Sequence, residues 1–139
     1  MSDRYGKQNL FSYFHAPGKD ESRLWAIENN LTKALILLLK HCRRELFLQT
    51  FLNEIGLDVK ADEKVQFAIQ RRPWLPDLER RLVLCITGGE AQLHDSRTFD
   101  GQGLPDAVIW GGNWAVAIEA KVGSCVDKAQ LRRHLRSLG

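Results

Sequence analysis

From Ser22 the apolar residues Leu24, Ile27, Leu31, Ala34, Leu35, Leu38 and Cys42 recur at spacings of three and four, the period of one helix face. Asp20 and Ser22 are both suited to cap its start. The rhythm runs on through Leu46, Leu48, Phe51, Leu52 and Ile55 to Gly56, a residue that ends helices because it tolerates a left-handed backbone. One long helix fits this pattern, and so do two helices broken near residues 41–44. The period then changes. Residues 65–70 alternate apolar and polar, as a half-buried strand does, and residues 81–87 read as a second strand closed by Gly88 and Gly89. Residues 71–77 carry Pro73 and Pro76 and predict a turn, and a loop rich in Gly, Asp and Ser follows the second strand. Two further strands, 106–110 and 114–119, are joined by Gly111-Gly112-Asn113, a short hairpin signal. From Val126 or Asp127 the pattern is helical again, with Ala129 and Leu131 or Leu135 on the apolar face and Arg132, Arg133 and Arg136 opposite. The expected fold class is α/β, a mixed β-sheet flanked by helices.

Residues 1–20 are polar, contain the breaker Ala16-Pro17-Gly18, and read as an N-terminal arm anchored by Leu10, Phe11, Tyr13 and Phe14, with a DNA-contacting tail as the lesser alternative. Residues 21–139 then form one domain, as expected for a chain of 139 residues. A hydrophobic share of 44% and a charged share of 27% exclude collagen-like and wholly disordered chains. Twenty Lys and Arg against seventeen Asp and Glu give a net charge of +3, which permits a polyanionic partner without demanding one. Cys42, Cys85 and Cys125 form no C-x-x-C pair, so a zinc ribbon is excluded; each is expected to be a small buried hydrophobe with a free thiol. Free thiols and a polar start predict a cytoplasmic protein, and no apolar run approaches the roughly 20 residues that span a bilayer.

Candidate chemistry lies in the stretch from Leu104 to Lys121. Asp106 opens one strand of the hairpin, and Glu119 and Lys121 close the other. Alternate side chains share a strand face, so Glu119 and Lys121 point the same way, and a short turn brings Asp106 level with them. Two hard carboxylates suit Mg²⁺ or Mn²⁺, and the backbone carbonyl of Ala120 offers a further ligand. Lys121 would orient or deprotonate a water, or steady charge as phosphorus is attacked. Charged residues at strand ends are also common as a surface ion cluster. Glu28 falls on the apolar face of the first helix, between Leu24 and Leu31, where a carboxylate needs a partner or a metal. Gln130, one turn into the last helix, reads either as a hydrogen-bonding partner of a water or a phosphate or as a solvated helix residue. His15, His41, His94 and His134 show no ligand spacing. The pairs Arg43-Arg44, Arg71-Arg72, Arg80-Arg81 and Arg132-Arg133 read as solvated faces or as phosphate contacts. Trp74 and Trp110 are expected in the core or at its rim, with base stacking as the lesser alternative.

Pro105-Asp106, then Glu119-Ala120-Lys121, then a helix with Gln130-Leu131-Arg132-Arg133-His134 resembles the PD-(D/E)XK nuclease superfamily. The resemblance implies a restriction-endonuclease-like αβββα(β) core and a metal-dependent nuclease, mostly acting on DNA. It implies that Asp106 and Glu119 hold the metal, that Lys121 is the catalytic lysine, and that Glu28 matches a glutamate of the first core helix. In that fold a further strand usually follows the second helix, whereas this sequence stops at Gly139. Hence a homodimer, or a further C-terminal region or partner chain, is expected to cover an open sheet edge. The alternative function is a catalytically silent nucleic-acid-binding or assembly module; a protein-interaction domain is the third.

Overall fold

The computed structural model describes residues 20–88, 93–95, 103–121 and 125–139, with side chains of the first helix described from Glu28 onward. The expected arm, Asp20 apart, lies outside the described residues, as does most of the loop after Gly88. The elements in chain order are α1 (Asp20–His41), α2 (Phe47–Glu54), β1 (Gln66–Ile69), β2 (Arg80–Thr87), β3 (Leu93–His94), β4 (Ala107–Trp110), β5 (Trp114–Lys121), β6 (Val126–Asp127) and α3 (Lys128–Ser137). No described helix is long and apolar enough to cross a membrane.

The long helical pattern is two helices. Between them Arg44 donates to the carbonyls of Asp62 at 2.6 Å and Val65 at 3.1 Å, and its guanidinium lies 5.6 Å from the Phe67 ring centroid. Those contacts need the chain to bend, and a straight helix would carry Arg44 past them. Gly56 ends α2 as expected, with φ at +85°, its N–H on the Asn53 carbonyl and the Leu57 N–H on that of Leu52.

Four strands form a mixed sheet in the order β1–β4–β5–β2. β4 and β5 are the expected hairpin, with Ala107 opposite Ile118 and Trp110 opposite Ala115. β1 joins β4 antiparallel, while β2 lies parallel to β5. β4 and β5 are therefore central, paired on both sides, and the sheet edges fall at β1 and β2. Strand alternation sorts the core into two layers. Ala107, Ile109, Trp114, Val116 and Ile118 pack against Ile36 and Leu39 of α1 and Leu48 and Leu52 of α2. On the other face Val108, Trp110, Ala115 and Ala117 pack with Ala68 and with Leu138, just beyond α3. The architecture is a mixed sheet between helices, as the sequence predicted.

Several expectations are corrected. The buried face of α1 is Asn29, Thr32, Lys33, Ile36 and Leu39, while Leu31 and Leu38 are exposed. The helix is rolled by about one residue, or about 100°, from the apolar stripe. Asn29 shows why: its Oδ1 accepts from Gln70 Nε2 at 2.7 Å, drawing that side inward. α3 turns Ala129, Gln130 and His134 inward and leaves Leu135 exposed, because Glu119 beneath it needs polar partners. Asp127 caps α3 by accepting from the Ala129 N–H at 2.9 Å. The expected loop before β4 contains β3, which pairs in parallel with β6. Cys42 and Cys85 are only half-buried and Cys125 is exposed, the second because β2 is an edge strand. Trp110 is buried, but Trp74 is 89% exposed and belongs to neither core nor rim.

The turn between β4 and β5 depends on Gly111, since a Cβ there would run into the indole of Trp114. Gly111→Ala is expected to lower stability by about 1–3 kcal/mol, read as a drop in the thermal midpoint. An unchanged midpoint would mean that the indole moves aside at no cost.

Candidate active site

Asp106 precedes the Ala107–Ile118 pair by one residue and so stands level with Glu119 across the hairpin. Its Oδ2 accepts from the N–H of Ala120 at 2.8 Å. The N–H and C=O of one strand residue point to the same side, so the Ala120 carbonyl also faces Asp106, beyond the last β4–β5 pair. Side chains of Glu119 and Lys121 share the sheet face covered by α3, two residues apart on β5. Lys121 Nζ lies 3.2 Å from Glu119 Oε1, and Gln130 Nε2 donates to the same oxygen at 3.1 Å. His134, 0% exposed, brings Nε2 to 3.2 Å from Glu119 Oε2. That contact is not aligned as a hydrogen bond, and Oε2 has no hydrogen-bond partner among the described residues.

The two carboxyls are driven apart in acidity. Burial, then repulsion from Glu119, outweigh the Ala120 amide and Lys121 and raise Asp106 to about 6. Burial also pushes Glu119 upward and is its largest single influence. The His134 ring and Lys121 together overcome it and hold Glu119 below the usual carboxylate value. The geometry therefore keeps one firmly ionised carboxylate beside one that ionises only near neutrality. Glu28 on α1 adds to the upward push on Asp106, which brings it within electrostatic reach of the cluster. Cys85, opposite Glu119 on β2, has its thiol raised by burial first and by Glu119 second, so it is held in the protonated, unreactive form.

All five sequence-chosen side chains thus converge: Asp106, Glu119, Lys121 and Gln130 by direct contact or register, and Glu28 by its field. Sequence reasoning missed His134, although its spacing of four from Gln130 puts both on one helix face. Asn29 and Thr32, polar neighbours of Glu28 that the sequence offered for added contacts, are buried on α1 near the same end of the sheet, and the buried Lys33 beside them was missed. Lys33, only 1% exposed, was hidden by the ordinary rule that lysines face water.

The Asp106 carboxyl, the Glu119 carboxyl and the Ala120 carbonyl are hard oxygens of the kind that divalent cations take, although Glu119 Oε2 is buried against His134. Among the described residues no group of three or more His, Cys, Asp or Glu is placed to hold a metal ion. A site of this kind relies on two carboxylates completed by a carbonyl, waters and substrate oxygens. Comparison with family models, with curated proteins and with solved structures finds no match to this chain.

Proposed function

We propose that the chain is a divalent-metal-dependent nuclease of restriction-endonuclease-like fold, hydrolysing phosphodiester bonds, with DNA the favoured substrate. The observation that carries this reading is the Ala120 peptide, whose N–H clamps Asp106 while its carbonyl faces the same side, with Glu119 and Lys121 on either flank.

A bound Mg²⁺ or Mn²⁺ would polarise the phosphoryl oxygen and make a water acidic enough to attack phosphorus. Asp106, Glu119 and the Ala120 carbonyl would hold it. The remaining work falls to the chain's own groups. Lys121, one-fifth exposed and paired with Glu119, would orient the attacking water and neutralise the negative charge that builds on the phosphoryl group. Gln130 and His134 hold Glu119 in a single orientation, so its lone pairs need no rearrangement before reaction. Glu28 adds negative potential at the cluster, which favours a cation.

The test is cleavage of supercoiled plasmid, linear duplex and single-stranded DNA with Mg²⁺, Mn²⁺ or EDTA. Wild type should cut only with metal, and Lys121→Ala should cut at least about a hundredfold more slowly. A second reading, the catalytically silent nucleic-acid-binding module, is favoured by the lack of a third carboxylate or histidine ligand among the described residues. It expects salt-sensitive binding that survives Lys121→Ala and Asp106→Asn, with no cutting by folded wild type.

A further inference from the structure

Between β1 and β2 the chain crosses from one edge of the sheet to the other over the face that carries Val108 and Trp110. Its start is tied to the candidate site, where the Gln70 N–H donates to the Asp106 carbonyl at 2.8 Å. Its end is tied to the opposite end of the sheet, where the N–H groups of Glu79 and Arg80 donate to the Asn113 carbonyl at 2.7 and 3.2 Å. Leu75 and Leu78 pin the middle to the core cluster containing Val108 and Trp110. By strand rise the two tied ends are about 17 Å apart. Along this path lie four exposed arginines, Arg71, Arg72, Arg80 and Arg81, and the exposed Trp74. Arg72, Trp74, Leu75, Arg81 and Leu138 are among the residues lining a groove of about 340 Å³ there.

Trp74 is 89% exposed on a segment that Leu75 and Leu78 anchor to the core, so its indole face is presented to solvent. Pro73 and Pro76 restrict the backbone on both sides of it, so the ring is presented with little conformational freedom left to lose. Acidic residues within the segment are Asp77 and Glu79, and Glu79 is engaged by Asn113 Nδ2 at 3.0 Å. A flat aromatic face interleaved with arginines matches a stack of bases on a phosphate backbone. Base faces are open to such stacking only when the strand is unpaired.

We propose that residues 71–81 form a track for single-stranded nucleic acid, leading away from the Asp106–Glu119 site, with a base stacked on Trp74 and phosphates held by Arg72 and Arg81. The choice of nucleic acid rests on the nuclease reading, and the experiment separates the two. Binding of a fluorescein-labelled fifteen-nucleotide oligothymidylate is followed by anisotropy in EDTA, where no metal-dependent cutting occurs. Trp74→Ala is expected to weaken binding about tenfold and Trp74→Phe to restore most of it. Arg72→Ala and Arg81→Ala should each reduce the salt dependence by about 0.7 of a log unit per log unit of salt. Trp74 is a surface residue, so an unchanged thermal midpoint will accompany its loss.

Wild type that binds no oligonucleotide overturns the track. So does Trp74→Ala that binds like wild type, or poly-glutamate competing as well as unlabelled oligonucleotide, which would mark a patch reading charge alone. Cleavage by wild type in Mg²⁺ is scored separately. Trp74-dependent binding without cleavage keeps the track and refutes the nuclease, whereas cleavage with Trp74-independent binding does the reverse.

Discussion

Asp106→Asn is expected to lose about a thousandfold in metal-dependent cleavage and, in EDTA at pH 8, to melt several degrees higher than wild type. The two effects come from the same carboxyl. Asparagine keeps an oxygen to accept the Ala120 N–H but removes the negative charge a cation requires. That charge is costly without metal, because burial and Glu119 raise the group from 3.8 to about 6. A carboxyl raised on folding favours the folded state while protonated, and the advantage is lost as pH rises from about 4 through about 6. With part of Asp106 open to water, the loss amounts to about 1–2 kcal/mol, which Asp106→Asn recovers. Glu119 has the opposite sign. Its lowered value adds stability above the ordinary 4.5 that disappears as pH falls through and below it. Between these two limbs the pair's contributions oppose each other: Asp106 costs stability as pH rises from about 4 through about 6, and Glu119 costs it as pH falls through and below 4.5. Thermal scans from pH 3 to 8 check this; a wild-type midpoint flat from pH 4 to 7, unchanged by Asp106→Asn, would refute the strain at Asp106.

The largest stability loss is expected at His134. His134→Leu fills most of the volume but sets a hydrocarbon against Glu119 Oε2, leaving a buried carboxylate oxygen with no polar group on that side. Stranding a buried carboxylate oxygen in this way costs about 3 kcal/mol, against well under 1 kcal/mol for exposed pairs such as Arg43–Glu45. For a domain of this size that is a fall of about 10 °C in the thermal midpoint. Adding Glu119→Gln should return a large part of the loss, since the group stranded by the first change no longer carries charge. Additive losses in the double variant would show that His134 serves only as filling. The Arg43→Ala control should move the midpoint by about a degree or less.

How far the site was legible in the sequence follows from where each contact is made. Asp106, Glu119 and Lys121 could be read because a two-stranded hairpin with a short turn fixes register locally, and strand alternation does the rest. Gln130 could be read from helix position, and His134 was within reach by the same spacing. The roll of α1 was not legible. Leu31 and Leu38 make a good apolar stripe, and the face that turns inward instead carries Asn29, bonded to Gln70 41 positions away, and the core residues Ile36 and Leu39. Gln70 makes that bond at φ +48°, a conformation its residue type rarely takes and no periodicity announces. The parallel seating of β2 beside β5 was equally hidden, because it joins segments with no turn between them to reveal the pairing. Trp74 was misplaced for the opposite reason: hydrophobicity favoured the core or its rim over an exposed stacking face, and here Leu75 and Leu78 anchor the segment while the indole stays outside.

The seating of β2 also bears on the order in which the molecule assembles. Asp106, Glu119, Lys121, Gln130 and His134 lie on one uninterrupted stretch of chain, and their mutual contacts close small loops. Small loops close in well under a millisecond and at modest entropic cost. β2 must instead return to β5 across the whole segment that separates Arg80 from Trp114. The acidic cluster can thus be complete in the folding nucleus while β2 is still docking. Fraying that begins at this outer strand would bare β5, and with it Glu119 opposite Cys85, before it reached β4 and Asp106.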